Sequence, residues 1–195
     1  RRFVFERDRA HFAAARGYLR AILASYAGCN PSEVRFAYGD HGKPYLDDSV
    51  CAQDLTFNLS HSRGLALYGV ARGRQIGVDV EYIRSEVDIL GIARTTFSPD
   101  ERARLEALPH HRRLRAFYDC WTRKEAYIKA RGLGLSYPLD AFDVNIEGNE
   151  SALLLRSVEG QDEVDRWALH VVDAGAGYSA ALAVERPVGG LRLFR

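Results

Sequence analysis

The sequence predicts an α+β protein built as two helix-plus-strand halves. Three observations carry that reading. Two long segments, 7–26 and 112–130, place apolar residues at helical spacing. Short runs with period-two alternation stand between and after them. Clusters of Gly, Pro, Asn, Asp and Ser separate the runs.

In the first helix Phe12, Leu19, Ile22, Leu23 and Tyr26 fall near one face, and Gly28 marks its C-terminal stop. Its polar face carries Arg7, Arg9, His11, Arg16 and Arg20, the pattern of a solvated basic face. Asn30-Pro31-Ser32 is a turn. Strands are expected at 34–38, 55–59, 65–71 and 76–81, with Gly39-Asp40-His41-Gly42 as a loop. The second half begins there. Residues 88–94 read as a short helix. Ser98-Pro99-Asp100-Glu101 starts the next one: Ser98 suits the N-cap, Pro99 the first helical position, and Glu101 closes a capping box. The helix over 112–130 presents Leu114, Phe117, Tyr118, Trp121, Ala126 and Ile128 on its apolar side and stops at Gly132. Strands are expected at 142–146, 153–155, 167–172 and 178–184. The boundary between halves falls near Gln75, giving 1–75 and 76–195, without a clear sequence repeat.

A chain of 195 residues with 47% hydrophobic content can bury a sizeable core. A net charge of +1 gives no global argument for nucleic acid. Cys29, Cys51 and Cys120 lack metal-ligand spacing and read as reduced thiols of a cytoplasmic protein. No apolar run reaches the length of a membrane span, and no signal peptide is visible.

Two stretches point to chemistry. In Gly77-Val78-Asp79-Val80-Glu81, alternation puts Asp79 and Glu81 on one face of a strand. In Trp121-Thr122-Arg123-Lys124-Glu125-Ala126-Tyr127-Ile128-Lys129, Trp121, Glu125 and Lys129 stack along one side of a helix, with Lys124 and Ile128 beside them. Each has an ordinary explanation alone: a solvated strand rim, an i,i+4 surface pair, a core tryptophan. Together they offer three carboxylates and two ammonium groups around one point. Hard oxygen ligands suit Mg²⁺, which completes its shell with water and substrate phosphates. The pair reads as a magnesium–pyrophosphate site, with Asp79, Glu81 and Glu125 on the metal and Lys124 and Lys129 facing phosphate.

These two signatures resemble those of the 4′-phosphopantetheinyl transferases of the long, monomeric surfactin-synthetase type. That family carries Gly-(Ile/Val)-Asp-(Ile/Val/Leu)-Glu and Trp-x-x-Lys-Glu-(Ala/Ser)-(Phe/Tyr)-x-Lys, and both stand here without departure. Arg2-Phe3-Val4-Phe5 with Arg7-Asp8 is similar to its first motif. Gly42-Lys43-Pro44 and Phe57-Asn58-Leu59-Ser60-His61-Ser62 resemble its coenzyme A-binding segments, and Gly132-Leu133-Gly134-Leu135 follows the second signature as in the family. The likeness runs from Arg2 to about Val144. It implies two α+β halves related by a pseudo-twofold axis, with the site in the cleft between them. It also implies some tens of residues before this chain's start.

The implied reaction moves the 4′-phosphopantetheine arm of coenzyme A, the donor substrate, onto a serine of an apo acyl, peptidyl or aryl carrier protein. It depends on Mg²⁺ and releases adenosine 3′,5′-bisphosphate. Gly42, Lys43, Asn58, Ser60, His61 and Lys129 are the implied coenzyme A contacts. Glu125 is the first candidate for the base that takes the serine proton, and His11 stands where some members place an arginine for the 3′-phosphate. The basic run His110-His111-Arg112-Arg113-Leu114-Arg115 opposes the local helix dipole, which suggests an acidic partner docking on Arg112, Arg113 or Arg115. Carrier proteins present such an acidic helix beside the modified serine. Two other classes stay open: another Mg²⁺-dependent phosphotransferase acting on a nucleotide pyrophosphate, and a non-catalytic module binding coenzyme A or a carrier.

Overall fold

The computed structural model describes residues 6–39, 41–47, 54–134, 136–147 and 153–194, with side chains described from residue 13 onwards. The Arg2–Phe5 motif, Asp40, Cys51 and Leu135 lie outside the described residues, as do the side chains of Arg7, Asp8, Arg9, His11 and Phe12.

Helix α1 (Glu6–Ala27) ends as the sequence predicts: Gly28 takes a φ of +68° and Cys29 N–H donates back to Ala24 O. Its inner residues Leu19, Leu23 and Ala24 share a core with Val34, Leu46, Leu55 and Phe57. Strands β1 (Phe36–Tyr38) and β2 (Pro44–Leu46) form a small antiparallel pair. The reading at 34–38 made β1 too long and missed β2, whose first residue is the proline of Gly42-Lys43-Pro44. Strands β3 (Leu55–Ser62) and β4 (Leu65–Arg72) form a tight hairpin.

Strand β5 (Ile76–Tyr82) pairs with β9 (Tyr178–Glu185), which pairs in turn with β8 (Trp167–Val171). The helices are α2 (Ile89–Thr96), α3 (Pro99–Ala107), α4 (His110–Arg131) and α5 (Gln161–Arg166); β6 (Phe142–Val144) and β7 (Leu154–Ser157) form the last hairpin. The capping box at α3 is complete, with Ser98 and Glu101 bonding each other's backbone N–H. Helix α5 is absent from the sequence reading because its six residues show no apolar period. Tertiary bonds hold it: Glu163 accepts from Tyr127 Oη and from Trp167 Nε1, both at 2.8 Å.

The sheet of β5, β9 and β8 separates two cores. On one face Ile76, Val78, Leu182 and Val184 pack with Leu67 and Ala71 of β4. The other face carries α4, and the largest core forms there around Phe117, Tyr127, Ile128, Phe142 and Trp167. The strand alternation therefore turns Gly77, Asp79 and Glu81 toward α4.

Strand β3 runs alongside β5 in the same direction, and side chains join the two. Asn58 Oδ1 accepts from Val78 N–H at 2.9 Å, Ser60 Oγ donates to Asp79 Oδ1 at 2.8 Å, and Ser62 Oγ donates to Glu81 Oε2 at 2.9 Å. Ser62 Oγ also accepts from Tyr82 N–H at 3.0 Å. These alternate residues of β3 point one way, while Leu55 and Phe57 point into the α1 core. Among the described residues no helix is long and apolar enough to cross a membrane.

Candidate active site

Helix α4 reaches the sheet because residue 77 has no side chain. A Cβ built on Gly77 would stand 2.1 Å from Ala126 O and 2.2 Å from Ala130 N. This contact lowers the helix onto β5 and brings Glu125 and Lys129 beside Asp79. Further along the same face, Ser179 Oγ donates to Asp119 Oδ1 at 2.6 Å and lies 3.2 Å from Thr122 Oγ1. Glu81 pairs with Ser179 in the register, so this polar contact fixes α4 beside Glu81 as well.

Asp79 is 2% exposed. Its Oδ1 receives Lys129 Nζ at 2.6 Å and Ser60 Oγ at 2.8 Å. Lys129 Nζ also lies 3.3 Å from Ser60 Oγ, and its side chain keeps 30% exposure. Two buried oxygens, Asp79 Oδ2 and Glu125 Oε1, have no hydrogen-bond partner. Burial pushes the Glu125 carboxyl up to about 7; Lys129 opposes the rise, while Asp79 and Glu81 add to it. Glu81 is also raised, first by burial and then by Asp79, against the Ser62 hydrogen bond and the charges of Lys129 and Arg84.

Among the described residues no three acidic, histidine or cysteine side chains are drawn together as a finished metal shell. Lys129 pairs with Asp79 at 2.6 Å. The unpartnered oxygens of Asp79 and Glu125 nevertheless fit a hard divalent cation, since a buried carboxylate oxygen is otherwise costly to leave unpaired.

Several expected site residues lie elsewhere. Lys124 is not at the cluster. It is fully buried, pairs with Glu101 Oε2 at 2.8 Å and donates to Leu139 O and Phe142 O, both at 2.7 Å. One residue along a helix rotates a side chain by about 100°, so the neighbour of Glu125 faces α3 and β6 instead. Asn58 and Ser60 are buried in the β3–β5 seam, where Asn58 accepts from Val78 N–H and Ser60 bonds Asp79 at the cluster itself. His61 is exposed on the strand face opposite Ser60 and Ser62. Gly42 supplies a φ of +78° in the β1–β2 turn. Lys43 is no solvated loop lysine. Its Nζ donates to Ala130 O at 2.6 Å, Gln75 Oε1 at 3.1 Å and Ile76 O at 3.3 Å, tying the end of α4 to the start of β5. Burial lowers its pKa to about 8.

The basic run at the start of α4 is also largely satisfied within the chain. Arg112 pairs with Glu147, Arg113 donates to Leu108 O and Glu106 O, and Arg115 binds Asp119 and Tyr178 O. Arg113 thus satisfies carbonyls of the α3–α4 turn, which answers the apparent conflict with the helix dipole. The sequence reading gave no role to Ser62 or Gly77. The even-numbered polar residues of β3 and the glycine opening the acidic strand were the available signals.

Two family models match. One, described as the 4′-phosphopantetheinyl transferase superfamily, covers residues 75–183, and the other, described as 4′-phosphopantetheinyl transferase, N-terminal, covers residues 1–69. The chain belongs to the 4′-phosphopantetheinyl transferase superfamily. It is 42% identical over 153 residues to the 4′-phosphopantetheinyl transferase HetI of Nostoc sp., covering 78% of this chain and 64% of that relative. The chain therefore spans less than two thirds of that relative's length. A 4′-phosphopantetheinyl transferase of Bacillus subtilis is 30% identical over 96% of this chain and 79% of its own length. The Bacillus subtilis protein named Sfp is 29% identical with the same coverage. The matches extend over both helix-plus-strand parts of the chain.

Proposed function

We propose that this chain transfers the 4′-phosphopantetheine group of coenzyme A to a serine hydroxyl of an apo carrier protein. The observation that carries the proposal is the juxtaposition of Asp79, Glu125 and Lys129, with two buried carboxylate oxygens left unpartnered. Family membership supplies the reaction class.

In this reading Asp79, Glu81 and Glu125 hold Mg²⁺, which when bound supplies positive charge against the pyrophosphate. Lys129, which is partly exposed, leaves its ion pair with Asp79 to meet a phosphate oxygen. The serine oxygen attacks the phosphorus bearing the pantetheine arm. The P–O bond to the second phosphate breaks, and adenosine 3′,5′-bisphosphate leaves. Glu125 takes the serine proton, directly or through a water, because it would lie between the metal and the acceptor. The remaining contribution is positioning and preorganised charge.

Lys43 and His61 remain proposed coenzyme A contacts. Lys43 would exchange one of its three protein acceptors for a phosphate oxygen, and His61 would reach the nucleotide from the exposed strand face. The division at residues 75 and 76 into two halves is part of the same proposal. So are a monomeric, cytoplasmic state and a carrier protein as the partner.

The test is to incubate the protein with coenzyme A, Mg²⁺ and several apo carrier proteins, then weigh each carrier by mass spectrometry. A phosphopantetheine mass gain on serine supports the proposal. Coenzyme A cleavage without any modified carrier points instead to another phosphotransferase. Neither event points to a binding module.

A further inference from the structure

The serines of β3 meet the acids of β5 one for one. Ser60 bonds Asp79, and a step of two residues along each strand brings Ser62 to Glu81. In each pair the hydroxyl engages a single carboxylate oxygen. Asp79 has a second partner in Lys129, which binds the same oxygen. Glu81 has no such cation. Among the described residues it forms no ion pair, and the bond from Ser62 to Oε2 is the only hydrogen bond its carboxylate makes.

The direction of that bond is fixed. Ser62 Oγ accepts from Tyr82 N–H at 3.0 Å. A backbone amide can only donate, so the hydroxyl proton is left for another acceptor. The Glu81 carboxylate, 2.9 Å away, receives it. One serine thus holds the side chain of residue 81 and the backbone of residue 82 together.

The serine itself is held from behind. Ser62 ends β3 and stands opposite Leu65 in the hairpin. The turn that follows, Arg63 and Gly64, has φ values of +45° and +89°, and Tyr178 Oη donates to Arg63 O at 3.1 Å. Tyr178 is the β9 partner of Tyr82, so one rung of the sheet anchors both the turn and the amide that Ser62 accepts. Glu81 gains from this hold. It is longer than Asp79 and only half-buried, so more side-chain freedom must be removed to fix its carboxylate.

We propose that Ser62 is a positioning residue of the transfer site: its hydroxyl fixes Glu81 through Oε2 and leaves Oε1 to the divalent cation. The proposal rests on the transfer reading above, in which Glu81 is a ligand. Ser62 acts through Glu81 and touches neither metal nor substrate.

The test compares the unaltered protein with Ser62→Ala, Ser62→Thr and Thr56→Val. Thr56 is the control: it lies on the same strand, but its hydroxyl donates to Ala71 O and Arg74 O, away from the acids. Cation binding is read without turnover. Mn²⁺, which takes the same oxygen ligands, is the probe, titrated by electron paramagnetic resonance with coenzyme A present and no carrier. Ser62→Ala should bind Mn²⁺ about tenfold more weakly, the loss usual when a group orienting a metal ligand is removed. Ser62→Thr keeps a hydroxyl and should recover most of that loss. Thr56→Val should bind Mn²⁺ like the unaltered protein and lose stability alone. In EDTA, the Tyr82 amide should exchange its hydrogen faster in Ser62→Ala and not in Ser62→Thr. Raised Mg²⁺ should restore carrier modification by Ser62→Ala. If Ser62→Ala does not fold, the isosteric pair Ser62→Thr and Ser62→Val must show the same contrast.

Unchanged Mn²⁺ affinity in the variant without a hydroxyl overturns the positioning role. So does an equal loss in Ser62→Thr or Thr56→Val, which would mark a merely structural effect. The transfer reading is tested separately. An unaltered protein that modifies no apo carrier at any Mg²⁺ concentration overturns that reading. An unaltered protein that modifies a carrier, with Mn²⁺ affinity the same in Ser62→Ala, overturns the role of Ser62 alone.

Discussion

Gly77 and Ala126 meet backbone to backbone: a Cβ at residue 77 would fall 2.1 Å from the Ala126 carbonyl oxygen. The acidic strand and the Glu125 helix therefore approach more closely than any side chain between them permits. The carboxylate cluster depends on that approach.

Gly77→Ala should consequently damage both stability and activity. Backbone cannot swing aside as a flexible side chain can, so the helix must lift. Overpacking of this kind costs about 1–3 kcal/mol or more. Urea denaturation should show a loss of at least that size, and any folded fraction should transfer phosphopantetheine poorly. An alanine variant with unaltered stability and turnover would show that the helix–strand contact is looser than described.

The two lysines of the signature helix should separate cleanly. Lys124 is wholly buried against Glu101, and its removal strands a buried carboxylate. Breaking a buried pair by deleting one partner costs about 3–5 kcal/mol. Lys124→Ala should lower the melting temperature sharply. Lys129→Ala leaves the buried Asp79 carboxylate without its cation, but Lys129 itself is 30% exposed and Ser60 still donates to Asp79, so this variant should lose less stability than Lys124→Ala while losing transfer. Equal melting temperatures with equal loss of activity would place Lys124 at the chemistry after all.

Glu125 gives a stability prediction with a definite sign. Its folded pKa is raised to about 7 from an ordinary 4.5, so folding favours the protonated form. The ionised carboxylate therefore destabilises the metal-free protein progressively as pH rises from about 4.5 through 7. In EDTA, Glu125→Gln should stabilise the protein at pH 8 by up to roughly 3 kcal/mol, and the gain should vanish near pH 4.5. A gain independent of pH, or a loss at pH 8, contradicts the burial argument.

The seam between β3 and β5 supplies a further check. Asn58 Oδ1 satisfies the buried Val78 N–H. Asn58→Leu should cost about 1–3 kcal/mol through that unpaired donor. If the residue acted on coenzyme A alone, calorimetry would instead show weaker nucleotide binding at unchanged stability.

Much of this site was legible because it rests on local periodicity. A period of two placed Asp79 and Glu81 on one strand face, and a period of 3.6 placed Glu125 and Lys129 on one helix face. The Ser98–Glu101 capping box and the Gly132 stop were readable for the same reason: their partners lie within a few residues. What stayed hidden depends on partners distant in sequence. Lys124 adjoins Glu125 in the chain, but its destination is set by Glu101 and by the Leu139 and Phe142 carbonyls. The bonds of Asn58 and Ser60 to β5 were hidden because nothing local revealed that strand alongside them. The basic run of α4 looked free because Glu147, Asp119 and the α3–α4 carbonyls reach it only in the fold. Helix α5 has no apolar period and forms around Glu163, whose partners Tyr127 and Trp167 lie outside it.

The central claim is that Asp79 and Glu125 form the cation-binding core of a phosphopantetheine-transferring site. The most direct test measures carrier modification by mass spectrometry across a Mg²⁺ titration, using the unaltered protein, Asp79→Ala and Glu125→Ala. Circular dichroism melts must first show that the variants are folded. The account predicts Mg²⁺-dependent transfer by the unaltered protein, abolished by EDTA, and no transfer by either folded variant at any Mg²⁺ concentration. Near-unaltered turnover by either variant at low Mg²⁺ would contradict it.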